Sequence, residues 1–438
     1  MDKRMQVYRK KKILYCGTLL VLTIFAIILV WTGISNRKRY EQSQIESTLP
    51  SKEQAEDNSI IRVLIKTNGF AQIAHSSVEI KATSGIVAVS GGKQRECDGG
   101  NSMVFTPNDP FFQNGIIKVS CKSEEERINI TSLQRGYGSP SYRGELELFS
   151  TAEGIVIVNE LPMEEYLCAV VPSEMPASYE LEALKAQAVC ARSYAYNQTR
   201  DYAYPEYCAH VDDSISFQVY GNSQEQENTN RAVEQTTGEK IWYNNQVATA
   251  YYYSTSSGKT ASIEAWGSAL NATNQYLQSR DVCNEKGESY EAGLPWYRWT
   301  ATVSEQIMSD LIEMNTQTEI GTLLNIAITK EGAGGIVQEI TAVGTTGKVI
   351  VETENKIRRA MGGSGYQIVK RDGTVVNSSK LLPSAFFSIE KRDGNYIVHG
   401  GGYGHGIGMS QNGANEMAKK GKNYREILSF FYTGVEVR

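Results

Sequence analysis

An uncharged run of 22 residues at positions 13–34, ILYCGTLLVLTIFAIILVWTGI, constrains this chain more than any other stretch. As a helix it rises about 33 Å, which matches a bilayer core about 30 Å thick. Lys3, Arg4, Arg9, Lys10, Lys11 and Lys12 precede it, against Arg37, Lys38 and Arg39 after it. The positive-inside rule then places the N-terminus in the cytoplasm and everything after the run outside. A cleaved signal peptide is the rival reading, but the run is long for such a segment and no small-x-small cleavage site follows. The expectation is a cytoplasmic basic tail at 1–12, a single transmembrane helix at 13–34 and an extracytoplasmic body held at the cell membrane.

With 438 residues, the chain has room for several packed modules beyond the anchor. Its net charge of -5 argues against nucleic acid as a partner, because phosphate binding needs a basic face. Residues 35–59 are polar and lack apolar periodicity, the composition of a flexible linker. From Ile60 the texture changes to short Val/Ile runs bounded by Gly, Asn and Ser, which predicts a β-rich module over 60–140. YRGELELFSTAEGIVIVNELP reads as a hairpin with Glu153 and Gly154 near its turn. A second domain is expected over 141–438, with a strand-rich segment at about 298–400 and one helix over 303–315. The fold class is therefore α+β: a transmembrane helix, then a β-rich body with a helical active-site region and a C-terminal helical motif.

That helical region starts after Pro162, with a short helix from Met163 to Val170 stopping before Pro172. Ser178 is expected to cap a second helix, whose Leu181, Leu184, Ala188, Ala191 and Ala195 form one apolar stripe. Lys185, Val189, Arg192 and Tyr196 form a neighbouring stripe that lines a groove or merely snorkels along the helix flank. At the C-terminus, Ser410 and Asn423 are candidate caps for two final helices. Of the seven cysteines, Cys168 and Cys190 read as buried small hydrophobes, while Cys97 with Cys121 and Cys208 with Cys283 are candidate disulfides. Neither C-x-x-C nor H-E-x-x-H occurs, so no metal or other cofactor is expected.

Glu174 sits between Pro172 and Pro176, where its carboxyl is cheap to order. Delivering a proton near neutral pH requires a carboxylic acid with a raised pKa; burial beside Val170, Val171 and Met175 raises it and a nearby helix N-terminus lowers it, and the sequence does not decide between them. The surrounding motifs, ELPMEEYL from Glu160, VVPSEMP from Val170 and LKAQAVCARSYA from Leu184, resemble the sporulation stage II protein D/LytB family. SFQVYGN from Ser216, YYSTSSGKT from Tyr252, LPSAFF from Leu382 and the glycine-rich run from Gly401 follow in the family's order, so the resemblance covers about 141–438.

The resemblance implies a peptidoglycan lytic transglycosylase that breaks the bond between N-acetylmuramic acid and N-acetylglucosamine without water, with Glu174 as the acid/base. It also implies glycan strands stripped of stem peptides as substrate, a role in sporulation or wall remodelling, and a cell-wall amidase as a possible partner. Lys185 and Arg192 are the expected grips for lactyl carboxylates, with Arg192 in a structural ion pair as the alternative, and Tyr194 or Tyr196 would stack a sugar. Ser254, Ser256, His405, Ser410 and Gln411 are further expected substrate contacts, with His405 as a packed structural residue the alternative, and the glycines from Gly401 let backbone approach a sugar.

The chain departs from the family pattern in two places. DDSISFQVY offers Asp212, Ser216 and Phe217 where some relatives carry Cys and His, and Tyr253 stands where His is common. The glycine-rich run lacks the Lys-Ser/Thr ending of a phosphate loop, so nucleotide binding is disfavoured. Competing with the transglycosylase are a non-catalytic amidase enhancer, for which Glu174 is dispensable, and a muramidase, which leaves reducing ends.

Overall fold

The computed structural model of the protein describes residues 60–438 apart from 124, so the expectations for 1–12, 13–34 and 35–59 lie outside the described residues. Among the described residues no helix is long and apolar enough to cross a membrane.

The organising element is an eight-stranded sheet. Its strands include β1 (Ile60–Ile65), β2 (Gly85–Ser90), β3 (Lys93–Asp98), β4 (Ile117–Cys121), β5 (Glu145–Thr151), β6 (Gly154–Pro162) and β7 (Val211–Asp212), in the spatial order β7-β1-β6-β5-β4-β2-β3. The expected hairpin is β5–β6, turning through Ala152 and Glu153. Gly154 suits the corner because a Cβ there would lie 2.4 Å from the His75 carbonyl oxygen. On β6 both faces are covered, which accounts for its unbroken IVIV run. Ile155, Ile157 and Leu161 face the main core, whereas Val156 and Val158 join Leu64 and Ala209 in a small second cluster. The alternation follows from the two-residue period of a strand. The sheet takes strands from both sides of the boundary expected at residue 140, since β1 and β5 both pair with β6.

Neither candidate disulfide forms. Cys97 and Cys121 both stand opposite Ile86, on the two flanking strands β3 and β4. Two strand spacings, about 9.6 Å, separate them, beyond the reach of a disulfide. Cys208 lies beside Arg62, which donates to its carbonyl, while Cys283 bridges to Ser289; both thiols are free. Cys190 is fully buried, as expected, but Cys168 is only partly so.

Against the sheet lies α1 (Met163–Glu174), and α2 (Leu181–Gln198) packs on α1. Helix α1 does not stop before Pro172 but contains it. The proline lies in the last turn, where its fixed φ is helical and only one backbone bond is lost. Ser173 Oγ donates to the Ala169 carbonyl at 2.7 Å, and the Met175 amide closes onto Val171 at 2.9 Å. Helix α2 begins after Glu180, not Ser178, because the Glu180 amide is taken by Asn415 Oδ1 at 2.9 Å. Instead of one apolar stripe it buries Ala183, Leu184, Ala186, Gln187, Ala188, Val189, Cys190, Ala191, Arg192, Ser193 and Ala195. Its alanines let α1, α3 (Glu227–Glu234), α6 (Gln411–Lys419) and α7 (Tyr424–Phe431) approach from several sides.

The strand-rich part holds a five-stranded sheet around Trp299–Ser304 and a three-stranded one formed by Leu323–Glu331, Val337–Gly344 and Lys348–Glu352. Helix α4 (Glu305–Thr316) starts two residues later than expected because Ser304 caps it, and α5 (Glu354–Ala360) follows the three-stranded sheet. Both final caps form as expected: Ser410 Oγ accepts from the Gly413 amide, and Asn423 forms a capping box with Glu426. Tyr252–Tyr253 pairs in parallel with Met409–Ser410, which brings two distant motifs together beside α1.

Candidate active site

Glu174 is the last residue of α1, not part of a free connector between the prolines. Its carboxyl opens onto a cleft of about 610 Å³ whose lining includes Tyr194, Ser216, Phe217, Val219, Tyr251, Tyr252, Trp266 and His405. Oε1 accepts from the Val219 amide at 2.7 Å. Burial pushes the Glu174 carboxyl up to about 7, while the Val219 amide and the Tyr252 hydroxyl hold it down. A site at the negative end of a helix also disfavours the carboxylate. The result is an acid that holds its proton close to neutral pH and faces a cavity able to take a saccharide.

The surroundings fix this side chain. Tyr166 donates to Gln218 Oε1 at 3.2 Å, and Gln218 Nε2 donates to the Tyr252 hydroxyl at 3.0 Å. That leaves the Tyr252 proton for Glu174. Gln411 Nε2 donates to the backbone carbonyl of Glu174 at 3.1 Å, so it anchors the helix end and is not a sugar contact. His405 lines the cleft with its ring, but both nitrogens are engaged. Nδ1 accepts from the Ile407 amide at 3.1 Å and Nε2 donates to the Tyr252 carbonyl at 2.9 Å. Burial lowers its pKa to about 3, with the Arg358 charge adding to the effect, so His405 is a neutral brace for Tyr252.

The expected carboxylate grips do not reach the cleft. Arg192 is 1% exposed and pairs through Nε and Nη2 with Glu164, both at 2.7 Å, so the structural ion pair is the reading that holds. Lys185 pairs with Glu182 at 2.8 Å and lies over the Tyr424 ring. Helical geometry explains both, because α2 is surrounded and its polar groups turn to neighbouring helices. Tyr194 does line the cleft, whereas Tyr196 packs against Arg200 and Lys240. Ser254 holds Asn412 through its carbonyl.

Ser256 and Ser410 are fully buried around Glu291. Glu291 accepts from the Ser256 amide at 2.9 Å, from the Ser256 hydroxyl and from the Ser410 hydroxyl at 2.8 Å. These serines tie chain segments together and are closed to substrate. The glycines of the Gly401 run likewise serve internal packing. A Cβ at Gly408 would lie 2.0 Å from the Tyr251 carbonyl oxygen, and one at Gly404 2.7 Å from Tyr253 Cβ. Tyr253 is buried against His405, its hydroxyl without a partner among the described residues. Asp212 is committed to Lys66 and Tyr204, while Ser216 and Phe217 line the cleft.

Sequence reasoning did not single out Val219, Tyr252, Trp266, Lys356 or Glu291 individually. Val219 and Tyr252 lie inside SFQVYGN and YYSTSSGKT, so the motifs carried a signal. Trp266, Lys356 and Glu291 lie in no motif, and only the fold brings them in.

Residues 151–243 match the family described as Stage II sporulation protein, and residues 238–408 match a domain of unknown function, DUF8618. The Stage II sporulation protein D of Bacillus subtilis is 31% identical over 348 residues, covering 75% of this chain and 89% of that protein. The amidase enhancer of the same organism is 34% identical over 299 residues, covering 61% of this chain but only 39% of its own length. An uncharacterized protein of Brachyspira hyodysenteriae is 32% identical over 302 residues, with 68% of this chain and 72% of that protein covered. The cleft draws on both matched regions, with Glu174, Tyr194 and Val219 from the first and Trp266, Lys356 and His405 from the second.

Proposed function

This chain belongs to the Stage II sporulation protein D family, and from that premise we propose that it is a lytic transglycosylase acting on the glycan strands of peptidoglycan. The observation that carries the reading is Glu174, a carboxyl pushed up to about 7 that nevertheless opens onto a cleft.

Glu174 first donates its proton to the glycosidic oxygen, so that the bond from the anomeric carbon of N-acetylmuramic acid breaks and its electron pair stays on the departing oxygen. The carboxylate then accepts the proton of the muramic acid C6 hydroxyl as that oxygen bonds to the anomeric carbon. An anhydro ring closes, Glu174 recovers its proton and no water is consumed. One carboxyl suffices because the nucleophile belongs to the substrate, whereas a hydrolase of the usual kind needs two. The Val219 amide and Tyr252 hydroxyl support the carboxylate between the steps. Peptide-free strands are the proposed substrate, wall remodelling in sporulation the proposed setting, and residues 13–34 the proposed membrane anchor.

Mass spectrometry of peptide-free glycan incubated with the full-length chain tests the chemistry. Anhydro ends that vanish with Glu174→Gln are expected; reducing ends would make it a muramidase. The kinship with an amidase enhancer favours a second reading, in which the chain binds glycan and stimulates a cell-wall amidase. Stimulation that persists in Glu174→Gln, with no anhydro product from either chain, would select it.

A further inference from the structure

Part of the cleft wall comes from the second matched region. Thr353 holds φ 74°, rare for a β-branched residue, and its amide donates to the Gln338 carbonyl at 2.9 Å. This sharp corner leads from the strand Lys348–Glu352 into α5. Glu354 is fully buried there, accepting from Trp266 Nε1 at 3.1 Å and pairing with Arg358 at 2.7 Å. Arg358 also donates to the Leu382 carbonyl at 2.8 Å. Glu354 and Arg358 therefore cancel each other's charge and lock the corner onto Trp266.

Lys356 lies on the same corner, exposed and lining the cleft. Among the described residues it makes no ion pair, and it is the one lysine or arginine of this lining that does not. With Glu174 protonated and His405 neutral, the lining carries one uncompensated positive charge. The groups that set the proton affinity of Glu174 are its burial, Val219 and Tyr252; Lys356 is not among them.

We propose that Lys356 is the cation with which the cleft grips a carboxylate of the glycan strand, held in place by the Trp266–Glu354–Arg358 network. The inference rests on the reading of the cleft as a glycan site and assigns to Lys356 the role expected from sequence for Lys185 and Arg192. Tyr251, edge-on to Trp266 at 4.8 Å and to Tyr194 at 6.0 Å, continues an aromatic wall along which sugar faces pack. A lysine beside that wall selects strands whose muramic acid carboxylates are free over strands whose carboxylates are consumed in amide bonds.

The test compares binding of peptide-free glycan with binding of the same glycan after its carboxyl groups are converted to methylamides. It uses the full-length chain carrying Glu174→Gln, so that strands stay whole. A preference of about tenfold for the carboxylate strands is expected, the size of one charge-assisted hydrogen bond. Adding Lys356→Gln should remove the preference and Lys356→Arg should keep it. No preference with Lys356 present, or one that survives Lys356→Gln, overturns the proposal. A chain that discriminates in this way but never yields anhydro ends would leave Lys356 its role and refute the transglycosylase reading alone.

Discussion

Two carboxyl groups in this protein, Glu174 and Glu291, are both pushed up to about 7 by burial, and they sit in opposite settings. Glu174 has one strong backbone donor and opens onto a cleft; Glu291 is 0% exposed and surrounded by an amide and two hydroxyls. Glu291 ties the segment after Tyr252 to the N-terminus of α6, and so braces the elements that hold Glu174. A raised pKa therefore does not mark a catalytic group by itself. Access to a cavity separates the two.

The contrast breaks most easily at Glu174. Glu174→Gln should lower glycan cleavage about 1,000-fold, the range of a general acid, with little change in melting temperature. In the unaltered chain cleavage should decline as pH rises through about 7, because Glu174 then loses the proton it must donate. A flat rate from pH 6 to 9 would separate the chemistry from this residue. Arg192→Ala tests the same division within α2, where Arg192 faces the interior. Roughly 3 kcal/mol of stability should be lost in denaturant titration, since buried acceptors lose their donor.

Glu291→Ala should cost roughly 2 kcal/mol, because three donors are left unpaired. Activity should fall with it in proportion to the loosening of the brace. Glu291→Gln sharpens the comparison through pH. The folded group keeps its proton up to about 7 whereas the unfolded group loses it near 4.5, so this stabilisation is complete below 4.5 and lost as pH rises to 7. The slope is up to about 1.4 kcal/mol per pH unit in that window, and the glutamine should flatten it. The smallest effect is expected at Tyr194→Ala, about 1 kcal/mol of glycan binding with the fold retained, read from a binding isotherm. A large loss of stability there would place Tyr194 with Arg192 and not with the cleft.

Much of the architecture was legible in the residues. Turn residues at Glu153 and Gly154 between two apolar runs marked the β5–β6 hairpin, and side-chain oxygens placed before helical runs marked the caps at Ser410 and Asn423. These signals are local, so sequence carries them directly. Pro172 misled because its usual effect is helix termination, whereas Ser173 and the buried Val170 and Val171 sustain one more turn. The pairing of Cys97 with Cys121 misled because the sequence does not show that a third strand lies between theirs.

The sequence by itself determined that Glu174 is ordered and flanked by apolar neighbours, since two prolines and a Val-rich helix end are properties of adjacent residues. Only the tertiary structure decided which polar groups meet the cleft. Arg192, Ser256 and Ser410 turned inward, while Lys356 and Trp266, from a distant part of the chain, came to line the same cleft as Glu174. The reason is physical: a helix has several faces and a loop many paths, and which of them meets solvent is fixed only when every other element has packed against it.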